Sequence, residues 1–210
     1  MLKFKLGTPI IAIFALFIFL SSSAFAVDIQ KGDNWAFYND VGYIYITTVI
    51  DSDLFQEVAS AMDFFQSAQA KLIKVHINSS GGGLFDSIGI AQIFLSMRDK
   101  IRIETYGSGI VGSGATLIIM AGTPGYRHAY ADTIFMLHST IMGRESQYVT
   151  LAETTKDVER HIYLQNIMES MYLKQLKISA QELKVLLNKE FWGSAQDAVR
   201  LGLVDKVLGN

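Results

Sequence analysis

Lys71-Leu72-Ile73-Lys74-Val75-His76-Ile77-Asn78-Ser79-Ser80-Gly81-Gly82-Gly83-Leu84-Phe85-Asp86-Ser87-Ile88 decides the fold. Its first seven residues read as a strand, and a polar, glycine-rich loop follows at once. Helical spacing begins directly after the third glycine, with Leu84, Ile88, Ala91 and Leu95 on one face of a helix that runs to Met97. Upstream, Val41 to Ile50 is rich in β-branched and aromatic residues and reads as a strand, and Leu54 to Gln69 carries apolar residues at helical spacing. Downstream, Ile101 to Tyr106 is a further strand. This β-α-β-α-β succession predicts a layered α/β domain with right-handed crossovers and a largely parallel sheet.

In such a domain the loops that follow strands gather at the carboxyl ends of the sheet, where ligand crevices form. Both glycine-rich segments, Ser79 to Gly83 and Gly107 to Gly114, fall in such loops. Ser113 then sits at the amino end of an apolar helix through Thr116-Leu117-Ile118-Ile119-Met120 that stops at Gly122, where unbonded N–H groups and the helix dipole favour a nearby oxyanion. His138 ends the apolar run Ile134-Phe135-Met136-Leu137-His138, 25 residues after Ser113. A hydroxyl needs a base within hydrogen-bond reach to become a nucleophile, and acyl transfer needs N–H donors aimed at the developing oxyanion. Ser113, His138 and the glycines supply a candidate for each role. Taken singly, each has a plainer reading: Ser113 as a helix cap, His138 as a core histidine, and Ser108 as a rival nucleophile five residues earlier. Their combination favours Ser113 and His138.

The rest of the chain reads as compact. A short β pair, Tyr126–Tyr130 and Thr133–Leu137, precedes an extended helix over roughly Gln147 to Leu176. Ser179 and Glu182 form a capping box, and Ser194 caps a last helix closed by Gly202. At the amino terminus, Lys3 and Lys5 precede the apolar stretch Pro9 to Leu20, then Ser21-Ser22-Ser23 and Ala24-Phe25-Ala26. These are the regions of a secretory signal peptide, so residues 1–26 are expected to be removed after Ala26, with an uncleaved membrane anchor as the alternative. Residues 27–210 then form one domain, exported and most consistent with the periplasm.

Without residues 1–26 the net charge moves from −2 to −4 with no basic stripe, which disfavours nucleic acid as a partner. There is no cysteine, so disulfides, thiolate metal sites and a cysteine nucleophile are excluded. His76, His128 and His161 form no metal-ligand spacing, and the Asn78 to Gly83 loop lacks both the Gly-Lys-Ser/Thr ending of a P-loop and the spacing of a dinucleotide fingerprint. No cofactor or metal is expected. Tyr163, Met168, Met171 and Tyr172 read as core or interface.

Four segments together resemble the motif series of the proteolytic subunit of the Clp protease. They are Asn78-Ser79-Ser80-Gly81-Gly82, Gly112-Ser113-Gly114-Ala115, Met136-Leu137-His138 and the run Ser194 to Asp205. The resemblance spans about residues 40–207. It implies a ClpP/crotonase-like layered α/β fold of repeated β-β-α/β-α units with a long handle-like helix, through which subunits pair into a homo-oligomer. It also implies a serine-type peptidase with Ser113 as nucleophile, His138 as base, and an oxyanion hole from Gly82 or Gly83 together with Gly114.

Two departures stand out. The family's acidic triad member falls on Leu186 by count, leaving Glu190 or Asn188 as substitutes within one turn or bend. An exported chain also meets no ATP, so an ATP-independent peptidase acting on peptides or unfolded segments is expected, alone or with a membrane-associated partner. The missing acid makes a catalytically silent peptide-binding or scaffold protein the second reading. An acyl-CoA-handling crotonase relative is the third, and export disfavours it.

Overall fold

A computed structural model describes residues 29–141, 143 and 150–209. The expected signal segment 1–26 and its junction with Val27 lie outside the described residues, as do Gln147 to Val149 at the start of the expected long helix.

The described residues open with three strands, β1 (Gln30–Lys31), β2 (Trp35–Tyr38) and β3 (Val41–Ile46), joined antiparallel in that order. Helix α1 (Ser52–Ser67) starts at Asp51, whose side chain accepts from Leu54 N at 3.0 Å. It buries Leu54, Val58, Ala61, Met62 and Phe65. Strand β4 (Leu72–Ser79) alternates as its sequence demands, with Ile73, Val75 and Ile77 fully buried and Lys74 and His76 on the other face. Helix α2 (Leu84–Met97) follows the triple glycine, and β3, β4 and β5 (Arg102–Gly112) lie parallel. The expected β-α-β-α-β succession is therefore the centre of the molecule.

Strand β5 is longer than the sequence suggests, because Gly107 to Gly112 extend it instead of forming a loop. Ile77 pairs with Gly107 but Ser79 pairs with Val111, so β5 carries extra residues at this point. Gly109 takes φ +59 in the bulge, where a Cβ would lie 2.6 Å from Asn78 Oδ1. That same Oδ1 accepts from Ile110 N at 3.1 Å. The bulge redirects the strand. Before it, Thr105 to Gly107 pair with β6 (Arg127–Tyr130); after it, Ile110 to Gly112 pair with β7 (Ile134–Leu137). The two short strands expected as a β pair thus do not pair with each other, since both lie parallel to different parts of β5.

Helix α3 (Gly114–Ile119) is entirely buried. The long helix α4 (Leu151–Leu173) begins at a Thr150–Glu153 capping box and ends three residues before the expected Leu176. Leu176 is buried beyond the helix end, which explains its apolar character without helical continuation. Helix α5 (Ala180–Asn188) starts at the Ser179–Glu182 box. Strand β8 (Phe191–Gly193) pairs antiparallel with β7. Helix α6 (Ala195–Leu201), capped by Ser194 and closed by Gly202, leads to β9 (Lys206–Leu208) on β6. Arg127 clamps this end: its guanidinium meets both Asp205 carboxylate oxygens and donates to Gly202 O at 3.0 Å. Among the described residues no helix is long and apolar enough to cross a membrane.

Candidate active site

The β5–β7 register sets the site. Gly112 pairs with Met136, and one residue later Ser113 N donates to Met136 O at 2.8 Å. The chain then turns into α3 with Ser113 at φ +48 and ψ −123, a region costly for any side chain, by about 1–3 kcal/mol. This turn lifts the Ser113 side chain out of the strand, where it serves no cap and takes no hydrogen bond from the described residues. His138 leaves the same end of β7. Ser113 and His138 line one cleft of about 440 Å3 with Gly82, Leu117, Ile141 and Met168. No hydrogen bond joins the Ser113 hydroxyl to the His138 ring in this structure, and such contacts commonly tighten only when substrate binds.

His138 Nδ1 lies 2.5 Å from the carbonyl oxygen of Ser139. A carbonyl only accepts, so Nδ1 carries the proton and Nε2 keeps its lone pair for the cleft. That tautomer is the one a general base requires.

The glycine loop is held by Ile50. Ile50 N donates to Gly81 O at 3.0 Å, and Gly83 N donates to Ile50 O at 2.7 Å. Gly83 is therefore corrected as an oxyanion donor, because its N–H is already committed. Gly82 N–H has no acceptor among the described residues. Gly114 opens α3, so its N–H has no partner within the helix. Gly82 N lies 3.8 Å from where a Gly114 Cβ would stand, so the two peptides converge beside Ser113. Because α3 has only six residues, these discrete N–H groups matter more than a helix dipole.

The structure does not bring Glu190 to the imidazole. Its side chain is exposed and accepts from the Trp192 indole at 3.1 Å, and φ +52 turns the backbone at this point toward β8. Leu186 packs half-buried against the core and lines a separate groove with Ile178, Val185 and Arg200. Asn188 comes nearer, since its Oδ1 accepts from Ser139 Oγ at 3.3 Å. Ser139 N also donates to Leu187 O at 3.2 Å, so the end of α5 braces the residue after His138. Ser108, the rival nucleophile, lies within the β5 bulge and away from the cleft lining.

The other histidines are accounted for by packing. His76 stacks between Tyr45 and Tyr106 at 5.6 and 5.3 Å, and Tyr106 continues the row to His128 at 5.1 Å. Burial lowers the pKa of both His76 and His128. His161, on α4, places Nε2 3.1 Å from Thr140 Oγ1. No group of three or more His, Cys, Asp or Glu suited to a metal ion occurs among the described residues.

The Clp protease family profile matches residues 30–210. The ATP-dependent Clp protease proteolytic subunit of Mesostigma viride is 23% identical over 168 residues, covering 80% of this chain and 71% of that protein. The ATP-dependent Clp protease proteolytic subunit 1 of Prochlorococcus marinus subsp. pastoris is 25% identical over 166 residues, covering 79% of this chain and 82% of that one. Among solved structures, a point variant of ClpP1 from Listeria monocytogenes superposes with a TM-score of 0.71 at 20% identity, over 80% of this chain and 91% of its own. That likeness establishes the shared layered α/β fold.

Proposed function

This chain belongs to the Clp protease family, a family of serine-type peptidases, and from that premise we propose that Ser113 is its nucleophile, acting on peptides or unfolded protein segments through an acyl-enzyme. One observation carries the assignment: a strained Ser113, whose hydroxyl has no hydrogen-bond partner among the described residues, shares a cleft with a His138 whose tautomer leaves Nε2 open, beside the N–H groups of Gly82 and Gly114, uncommitted among those residues. In the first step His138 Nε2 takes the Ser113 proton as Oγ bonds to the scissile carbonyl carbon. The carbonyl oxygen becomes an oxyanion facing the two N–H groups. Collapse breaks the C–N bond, and the same proton passes to the leaving amine. Water repeats the sequence to release the acyl group.

The proposal extends to export and independence from ATP, supported by the signal-like sequence of residues 1–26. A membrane-associated partner is compatible with it. Homo-oligomerisation is supported by α4, which leaves Leu151, Val158, Ile162 and Tyr163 exposed along its length. A sedimentation run yielding monomer alone would remove that part.

The absent carboxylate at Leu186 and the open Ser113–His138 contact favour, as a second reading, a silent peptide-binding or scaffold protein. Intact-mass analysis after treatment with a fluorophosphonate separates the two. A single adduct lost in Ser113→Ala supports the peptidase. A folded sample that takes no adduct but binds peptide supports the silent protein.

A further inference from the structure

The peptide unit between Ser139 and Thr140 has both ends engaged. Its carbonyl receives the His138 Nδ1 proton at 2.5 Å, and its N–H, on Thr140, donates to Gln165 Oε1 at 2.8 Å. Gln165 Nε2 in turn donates to Glu169 Oε1 at 2.9 Å, one turn further along α4. The amide of Gln165 has one self-consistent orientation here, because a backbone N–H demands its oxygen on one side and a carboxylate demands its nitrogen on the other. Thr140 Oγ1 donates to the same Gln165 oxygen at 3.0 Å, which anchors the segment a second time.

We propose that Gln165 is a positioning residue for His138, and that a relay of imidazole, backbone peptide, Gln165 amide and Glu169 carboxylate does the work of the acid missing at Leu186. The proposal rests on the reading of His138 as the base. When His138 Nε2 takes the Ser113 proton the ring becomes cationic, and its stabilisation falls to the Ser139 carbonyl. A carbonyl whose own amide N–H is hydrogen-bonded is the more strongly polarised acceptor, and linked amides polarise one another in the same sense. The negative charge of Glu169 closes the series at the far end. Gln165 also prevents the 139–140 peptide from rotating, and rotation would release the ring to its other tautomer. Among the described residues Glu190, the substitute nearest in sequence, is not available for this, since its carboxylate accepts from the Trp192 indole.

The test uses the purified full chain with histidine labelled in nitrogen-15, the His138 signals being assigned against His138→Gln. In the wild type, His138 is expected as a single tautomer protonated at Nδ1. In Gln165→Leu that signal is expected to become a mixture, and the rate of Ser113 labelling by fluorophosphonate to fall about 10- to 100-fold, the same order as losing the hydrogen-bond partner that orients a metal-ligating histidine. The paired exchange Gln165→Glu with Glu169→Gln keeps an acceptor for Thr140 N and a donor behind it, and is expected to restore both readouts. Should Gln165→Leu fail to fold, Gln165→Asn serves, its shorter amide being unable to span to Thr140. A wild-type tautomer and rate in the folded Gln165 variant would overturn the relay. If the wild type takes no label, the peptidase reading falls, while the tautomer of His138 with and without Gln165 still decides this proposal.

Discussion

Gly82→Ala tests which peptide faces the oxyanion. A Cβ at Gly82 would lie 2.1 Å from Ile50 O and 2.6 Å from Ile50 N, both backbone atoms within a parallel bridge. An ordinary non-bonded contact is longer by roughly 1 Å or more, so the loop must withdraw by about that distance. Such a shift takes the Gly82 N–H outside the 2.7–3.1 Å range in which a donor stabilises an oxyanion, a loss of about 10²–10³ in rate, or about 2.7–4 kcal/mol. It also loosens the Ile50 N to Gly81 O and Gly83 N to Ile50 O bonds, at about 1 kcal/mol each. The melting temperature should therefore drop by about 4–8 °C in a domain of this size. Gly83→Ala is the control, because its Cβ clashes with the side-chain carboxylate of Asp86 at 2.2 Å and not with backbone, Ile50 O lying at an ordinary 3.5 Å. Stopped labelling with a fluorophosphonate, followed by mass spectrometry, gives both rates. Equal, wild-type rates in the two variants would refute the donor assignment, and a loss confined to Gly83→Ala would reverse it.

Asp205→Asn breaks a largely buried ion pair with Arg127 and should cost about 3–5 kcal/mol at neutral pH, read as a fall in urea midpoint. Burial alone would raise the Asp205 pKa, but hydrogen bonds from the Arg127 side chain and backbone outweigh it and hold the carboxyl below its ordinary value. The folded pKa being depressed, this stability is complete above about pH 4 and lost as pH falls through the folded value, so the wild type should weaken across that acid window more than the variant. Ser113→Gly should melt higher than Ser113→Ala by about 2–4 °C, because glycine relieves φ +48 at a gain of about 1 kcal/mol or more; equal melting would deny the strain. Tyr172→Phe removes a fully buried hydroxyl bonded to Thr116 Oγ1 at 2.5 Å and should lower stability by about 1–1.5 kcal/mol in calorimetry.

The central strands and α1, α2 and α3 were legible because each obeys its own period and begins at a recognisable cap or glycine. Ser194, Ser179 and Gly202 mark helix ends for the same local reason. Strand β5 was not legible beyond Tyr106, since Gly107, Ser108 and Gly109 carry loop composition and only the partner strands and Asn78 make them extend. The separation of β6 from β7 depends on that bulge, and no local pattern announces it. At the site, Ser113 and His138 were visible as residue types at a spacing. The choice between Gly82 and Gly83 was not, because it turns on Ile50, some thirty residues earlier, occupying the Gly83 N–H. Glu190 lies within one turn or bend of Leu186 along the chain, yet proximity along the chain says nothing of the Trp192 indole that holds it.

Helix α4 connects these observations. Near its carboxyl end Tyr172 bonds Thr116 Oγ1, and Thr116 donates to Ser113 O at 2.5 Å. Since Thr116 has one hydroxyl proton and gives it to that carbonyl, Tyr172 must be the donor in their shared bond, and burial, partly offset by Thr116, raises its pKa to about 12, keeping that proton in place. Seven residues earlier on the same helix, Gln165 holds the peptide that orients His138. One rigid element thus braces both the turn carrying the hydroxyl and the loop carrying the imidazole, while only Met168 and Tyr172 of its 23 residues are buried. Its seating against α3 and α5 is consequently set by few contacts of its own. Any association that covers the exposed Leu151, Val158, Ile162 and Tyr163 would fix the angle of α4, and with it the distance between Ser113 and His138, so activity in the proposed peptidase should track assembly when the two are measured over the same dilution series.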